Sequence, residues 1–245
     1  MTIQEVHTQL NLRIDKIDSA AYDDVLPEEL DVYLNVATRR FIKQRFEAKS
    51  NLFQLGFEQS IKRIEDLRHL IKEQELDAEY EPLVTIEGTF VDKVAFPNDY
   101  FLPIKGSAIV QYNDDGVTYA ITSGKRVIDG TEGVDYATRV SGLKPTQQQQ
   151  ILVTATSPFH GTRIKSPLYV IQGDSLNVFT NDKFVVDKVN LTYIKTPATV
   201  SLSGGQTIDL PSPMHDEVID IAARMILSDI NSLTPAGQQT LSKVE

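Results

Sequence analysis

The stretch "PSPMHDEVIDIAARMILSDI", Pro211 to Ile230, decides how the chain is assembled. Wound at about 3.6 residues per turn, Val218, Ile219, Ile221, Ala222, Ala223, Met225, Ile226, Leu227 and Ile230 cover nearly the whole circumference. Between the first turn and the last, only Asp220, Arg224 and Ser228 make a polar strip. A helix this apolar all round is buried on several sides, and part of that burial is expected from neighbouring subunits. Val218, Ile219, Ile221, Ala222, Met225 and Ile226 are therefore the expected core or subunit contacts. The start of the stretch invites a metal or catalytic reading, because His215 stands beside Asp216 and Glu217. Adjacent residues on a helix project about 100° apart, so His215 shares a face with Ile219 and not with an acid. Ser212 reads as a cap, Pro213 as the first helical residue, and Asp216 and Glu217 as partners of the positive dipole end. Asp220 and Arg224 have the spacing of an i,i+4 ion pair.

Two further helices with one apolar stripe each stand at the other end of the chain. Ile3, Val6, Leu10, Ile14 and Ile17 recur every three or four residues. Thr2 with Glu5 fits a capping box, in which each side chain bonds the other's backbone N–H. A break follows at Asp23–Asp24. Pro27, Glu28 and Glu29 then open a helix whose face is Leu30, Tyr33, Ala37 and Phe41. Arg39, Arg40, Lys43 and Arg45 gather at its C-terminal end, where cations suit the dipole, and they are the candidate contacts to an acidic partner. A third helix is expected from about Phe57 to Leu76, with Phe57, Ile61, Ile64, Leu67 and Ile71 in register and a polar face of alternating sign.

From Pro82 the pattern changes to short runs rich in Val, Ile, Thr, Tyr and Phe between turn signals. Asp115-Gly116 and Gly173-Asp174 have the composition of hairpin turns. Residues 82–202 therefore read as an antiparallel β-rich domain, a barrel or a sandwich. An exposed loop or arm at about 144–167 surrounds one short strand, ILVTAT. The segment 36–42 echoes 221–227, and both helices follow a Leu-Pro pair. The expected fold is thus α+β: a helical bundle formed by the N-terminal helices and the C-terminal helix, with the β domain inserted between them. The expected parts are 1–81, 82–202 and 203–245, the last ending in a tail from about Ser232.

Composition narrows the chemistry. With 245 residues and 41% apolar content, the chain is long enough for a real core. It has no cysteine, hence no disulfide framework, thiolate metal site or cysteine nucleophile. No run approaches the ~18 apolar residues of a membrane span, and no secretory signal is visible, so an origin in the cytoplasm without a membrane partner is expected. A formal net charge of −10 argues against wrapping nucleic acid, which needs a surplus of Lys and Arg. An acidic surface that lets nucleic acid slide past remains compatible with it.

Enzyme motifs are absent: there is no HExxH, GxSxG or GxGxxG after a strand. Thr122-Ser123-Gly124-Lys125-Arg126 fails as a P-loop, since Tyr119 replaces the first glycine and Arg126 the magnesium-holding hydroxyl. Asn113-Asp114-Asp115-Gly116 lacks the rest of a calcium loop and reads as a turn. His7, His69, His160 and His215 show no ligand spacing to one another. Asn190-Leu191-Thr192 matches a glycosylation sequon that carries little meaning without secretion. Paired carboxylates far apart in sequence are the one hydrolytic arrangement left open, because they need no sequence proximity. No cofactor, metal or catalytic residue is expected.

Several stretches resemble the head–tail connector, or adaptor ring, proteins of short-tailed phages, especially the ring proteins of crAss-like phages. They are "LPEELDVYLNVATRRFI" (26–42), Phe96-Pro97-Asn98-Asp99-Tyr100, and Leu191-Thr192-Tyr193-Ile194-Lys195-Thr196-Pro197 followed by Leu210-Pro211 and "HDEVIDIAARMIL". The resemblance spans most of the chain in order. It implies a structural virion protein without catalysis, assembled in the host cytoplasm into a ring of commonly twelve copies below the portal. Its implied partners are further copies of itself, the portal protein, other tail or ring proteins, and DNA passing through the lumen without sequence-specific binding. The alternative expectation is a tail-associated module whose β domain holds a glycan or receptor, with Tyr112 and Tyr119 as candidate contacts. The absence of tryptophan, the favoured sugar-stacking residue, weighs against it.

Overall fold

A computed structural model gives the fold, and it describes residues 1–15, 25–47, 61–81, 89–112, 119–122, 125–128, 137–151, 157, 161–181 and 183–233. The chain is α+β, and it divides into two compact units. One joins Met1–Ile71 to Thr196–Glu245; the other is Lys72–Lys195.

The first unit holds α1 (Ile3–Asp15), α2 (Pro27–Phe46), α3 (Ile61–Leu67) and α4 (Ser212–Leu233). The capping box of α1 is made: Thr2 N–H donates to Glu5 Oε2 at 2.8 Å, and Glu5 N–H to Thr2 Oγ1 at 3.3 Å. Its stripe of Ile3, Val6, Leu10 and Ile14 is buried, while Ile17 lies outside the described residues, as does the break at Asp23–Asp24. Glu29 reaches back to accept from Leu26 N–H, and Leu30, Leu34, Ala37, Thr38, Phe41 and Ile42 form the buried face of α2. Tyr33 is only half-buried, and its hydroxyl donates to Asp229 of α4. Both α1 and α2 pack on α4, which explains how so apolar a helix is covered within one chain. That helix begins at Ser212 itself, so Ser212 is a helical residue and not the expected cap.

The connection that leads from Thr196 back to α4 is tied down by two polar side chains of α2. Asn35 treats Val200 as a strand would: its Oδ1 accepts from Val200 N–H at 2.8 Å and its Nδ2 donates to Val200 O at 3.0 Å. Asp31 accepts from Leu202 N–H at 3.0 Å and lies 2.8 Å from buried His7 Nε2. Ser201 and Gln206 close a small hairpin in which Gly205 takes φ 66°, a backbone region open to glycine at little cost. These contacts place 196–202 with the helices rather than with the strands.

The expected third helix is corrected. Residues 57–60 lie outside the described set, α3 stops at Leu67, one 3₁₀ turn spans Arg68–Leu70, and a strand begins at Ile71. Leu67 and Leu70 are both fully buried, whereas Ile61 is 82% exposed. From Ile71 the side chains alternate in the manner of a strand: Gln74 and Leu76 face inward, Glu73, Glu75 and Asp77 outward. That period-two pattern overlies the helical register of Ile61, Ile64, Leu67 and Ile71, and pairing with a distant strand selects it.

The second unit contains β1 (Ile71–Asp77), β2 (Glu79–Glu81), β3 (Thr89–Ala95), β4 (Tyr100–Tyr112), β5 (Tyr119–Thr122), β6 (Lys125–Ile128), β7 (Ala137–Gly142), β8 (Lys144–Pro145), β9 (Leu168–Gln172), β10 (Ser175–Asn181) and β11 (Phe184–Lys195). All but β5 and β6 join one sheet, which is open; the barrel expectation is therefore set aside. Physically, β10 has β3 along one edge and β9 along the other, so β11 meets it only at the Asn181–Phe184 turn. Then β11 takes β4 and β1 as its own neighbours, and β7 follows β4. Leu176 and Val178 of β10 share one core with Val94, Ala108, Val110, Phe184, Val186 and Val189. Phe179, on the opposite face of β10, packs with Val91, Ile151, Leu168 and Val170. Burial on both faces explains the unbroken burial along β10.

At the expected hairpin Gly173-Asp174, Gln172 pairs with Ser175 and Gly173 adopts φ 57°. Asp115-Gly116 lies outside the described residues, as does ILVTAT beyond Ile151. Thr122 pairs with Lys125 in an antiparallel hairpin, a strand-to-strand context unlike the strand-to-helix context of a P-loop. Of the expected arm at 144–167, the described parts include β8, the turn at 147–150 and the Arg163–Ser166 bridge.

Candidate interaction site

The two halves of α4 use their charges differently. In the first half every acid reaches another helix. Arg13 of α1 donates to Asp216 Oδ1 at 3.0 Å and to Asp216 O at 2.8 Å, and lies 3.0 Å from Asp220 Oδ1. Glu217 accepts from Arg45 of α2. Arg45 Nε also stands 2.9 Å from Asp66 Oδ2 of α3, a close charge contact without the alignment of a hydrogen bond. Its guanidinium covers the Phe41 ring at 4.8 Å. Burial pushes the Asp66 carboxyl above its usual range, while Arg45 and Lys62 pull it down. Arg45, one of the four candidate partner-contact cations, is thus engaged inside its own chain.

His215 also belongs to this internal half. It is buried, and its Nε2 lies 2.9 Å from Leu210 O; the neutral ring donates there, and among the described residues Nδ1 has no hydrogen-bond partner. Burial holds the imidazole below its usual value, with the Leu210 carbonyl acting in the opposite direction. Among the described residues no three His, Asp or Glu side chains are grouped to hold a metal ion, and no helix is long and apolar enough to cross a membrane.

The second half of α4 is open on one side. Because Asp220 bonds Arg13, it does not pair with Arg224 as the i,i+4 spacing suggested. Arg224 instead lines a cleft of about 350 Å³ with Ile221, Met225, Ser228 and Asp229 of α4 and Arg40 and Gln44 of α2. Arg39, Arg40, Lys43 and Arg224 are all exposed, and among the described residues none of them makes an ion pair. Arg40 and Lys43 stand at i,i+3 and Arg39 and Lys43 at i,i+4, so they form one cationic area. Toward the N-terminus the same row continues through Val36 and Val32, four residues apart and 36% and 61% exposed. Of the six expected α4 contacts, Val218, Ile219, Ala222 and Ile226 are buried in the protomer's own core, and Ile221 and Met225 are half-buried in the cleft wall.

The cleft therefore combines apolar side chains, guanidinium groups that make no ion pair among the described residues, and a polar rim. Arg and Met are the residue types enriched at protein interfaces. Among the described residues Asp229 is the one acid in its lining, and it accepts from Tyr33 Oη at 2.9 Å; burial, then that acid, raises the Tyr33 hydroxyl's pKa. Local sequence points to Arg39, Arg40 and Lys43. It does not point to Arg224, whose obvious partner stands four residues away.

In the β unit, two of the stretches quoted for the resemblance meet. Tyr193 Oη donates to Asp99 Oδ1 at 2.7 Å, and Lys72 Nζ to Asp99 Oδ2 at 2.9 Å. The bonds from Lys72 and Tyr193 hold the Asp99 carboxyl below its usual range. Phe96 and Tyr100 stack with ring centroids 4.0 Å apart, and burial beside Tyr169 pushes the Tyr100 hydroxyl up to about 12. Phe96, Pro97, Asn98 and Tyr100 line a second cleft, of about 370 Å³, with Ile171, Gly173 and Asp174. Compared with models of known protein families and with curated proteins, the chain matches none of them.

Proposed function

We propose that this chain is a structural subunit of an oligomeric ring that connects a phage portal to the tail and lines part of the DNA channel. The observation that carries the reading is the α2–α4 cleft on a chain of net charge −10: exposed Arg40 and Arg224 line it with half-buried Ile221 and Met225, Arg39 and Lys43 stand near Arg40 on α2, and among the described residues none of the four cations makes an ion pair. An acidic chain whose described acids leave these cations unpaired, with Asp229 of the cleft bonded by Tyr33, favours an acidic partner over bulk nucleic acid. The resemblance to connector proteins supports the same role. The residues quoted for it serve the scaffold: Asp31 and Asn35 anchor the return to α4, and Asp99 and Tyr193 bond each other. The proposed mechanism is assembly into a ring, commonly of twelve copies in the resembled proteins, without a catalytic step. It takes place in the host cytoplasm and ends in the virion. Mixing the purified protein with the portal of the same virus and imaging the particles tests it. Ring density below the portal is the expected result; bare portals at saturating protein would sink the reading.

The Phe96–Tyr100 cleft favours a second reading, a β unit that holds a glycan or receptor group against its stacked rings. A glycan-array signal that disappears in Asn98→Ala and Asp174→Ala would support it, and a blank array would remove it.

A further inference from the structure

The partner of the α2–α4 cleft has a counterpart in the same sequence. Residues 72–81 hold five acids, Glu73, Glu75, Asp77, Glu79 and Glu81, against the single Lys72. Residues 82–195 hold eleven acids and eleven cations. The whole negative excess of the Lys72–Lys195 unit is thus concentrated in β1 and β2. Along β1 the acids are on one side: Glu73, Glu75 and Asp77 are exposed, while Gln74 and Leu76 turn inward. Glu75 is bonded by Lys188, but Glu73 and the exposed Glu79 make no ion pair among the described residues. Alternate residues on a strand repeat every ~6.8 Å. Cations three or four apart on a helix repeat at about 5–6 Å, so an acid ladder and a cation ladder of these kinds lie side by side without large mismatch.

We infer that the cleft is filled by a second copy of this chain, whose acidic β1–β2 segment lies against Arg39, Arg40, Lys43 and Arg224. The inference rests on the ring reading and specifies its subunit contact. Because two different surfaces meet, the contact is heterologous: repeated from copy to copy, it closes into a ring or runs on as a filament. Ile221 and Met225 in the cleft, and exposed Val32 and Val36 along α2, supply apolar area that charge alone lacks. The charged rim sets the register and makes the association salt-dependent, since the screening length falls from about 10 Å at 0.1 M salt to about 3 Å at 1 M.

The cysteine-free sequence permits a direct test. Arg40→Cys and Glu73→Cys, both at exposed positions, are purified as full chains, mixed and oxidised under mild conditions. The expected result is a mixed 40–73 dimer above its random share, reduced about tenfold or more by 1 M salt. Random or absent mixed dimer would overturn the inference. Charge reversal gives a second arm. Arg40→Glu/Arg224→Glu and Glu73→Lys/Glu79→Lys each lose self-association by light scattering, and mixing the two restores it as alternating copies. Failure of the mixture to recover counts against the pairing. Wild-type rings on portals without a 40–73 link would refute this contact and leave the ring reading standing. A 40–73 link with bare portals would do the reverse.

Discussion

The first half of α4 and the second half are built from similar residues and end up with different roles. In the first half, Asp216, Glu217 and Asp220 are engaged by Arg13 and Arg45, across more than 170 residues of sequence. Val218 and Ile219 are fully buried behind them. In the second half, Ala222, Ala223 and Ile226 continue that core, but Ile221, Arg224 and Met225 face a cleft whose cations, among the described residues, make no ion pair. The difference teaches that an apolar girdle does not by itself announce an interface. What marks the candidate surface is the point where the charged residues stop finding partners inside the chain.

The largest expected effect separates the halves by stability. Ile219→Ala should cost about 2–4 kcal/mol in denaturant unfolding, the usual range for a large-to-small change in a filled core. Met225→Ala, at the cleft wall, should cost about 1 kcal/mol or less. Equal losses at the two positions would erase the distinction. Next comes Arg45→Met, which leaves buried Asp66 without its cation and should cost about 3 kcal/mol at pH 7. The loss should shrink in acid. Asp66 has a folded pKa raised above 3.8, so the cost of its charge is absent below that value and grows as pH rises through the folded pKa. A loss independent of pH would mean that Asp66 is not the residue harmed.

A smaller effect concerns His215. Its folded pKa is lowered from 6.5, so its contribution is fully present above that pH and is lost as pH falls toward the folded value. Wild type should therefore lose stability between neutral and mildly acidic pH relative to His215→Gln, which keeps a donor for Leu210 O and cannot titrate. Parallel pH curves for the two proteins would contradict the buried neutral ring. The smallest stability effect belongs to the cleft cations: Arg40→Glu and Arg224→Glu should each stay within about 0.5 kcal/mol of wild type.

Much of the fold was legible locally. The stripes of α1 and α2, the Thr2–Glu5 box and the Gly173-Asp174 turn are short-range patterns, and the structure forms each of them. The end of α3 was not legible, because Ile71 suits both a helical register and a strand and only the pairing of β1 with β11 decides. The candidate site was half legible. Arg39, Arg40 and Lys43 could be read as a basic run, but the capture of Arg45 by Asp66 and Glu217, and of Asp220 by Arg13, depends on neighbours brought together by folding. Those two captures decide which cations face outward, and neither leaves a trace within a helical window.

The central claim is that the second half of α4 meets a partner while the first half is closed within the protomer. Methionine oxidation reads both halves of one helix at once. Met214 and Met225 are each half-buried, the former in the internal half and the latter in the cleft. Peroxide oxidation rates at both sites, measured by mass spectrometry on the protein diluted until it is monomeric and on protein bound to portal particles, make the comparison. The account predicts that binding slows oxidation of Met225 about tenfold and leaves Met214 unchanged. Unchanged oxidation of Met225 in the bound protein, or equal slowing at both methionines, would contradict it.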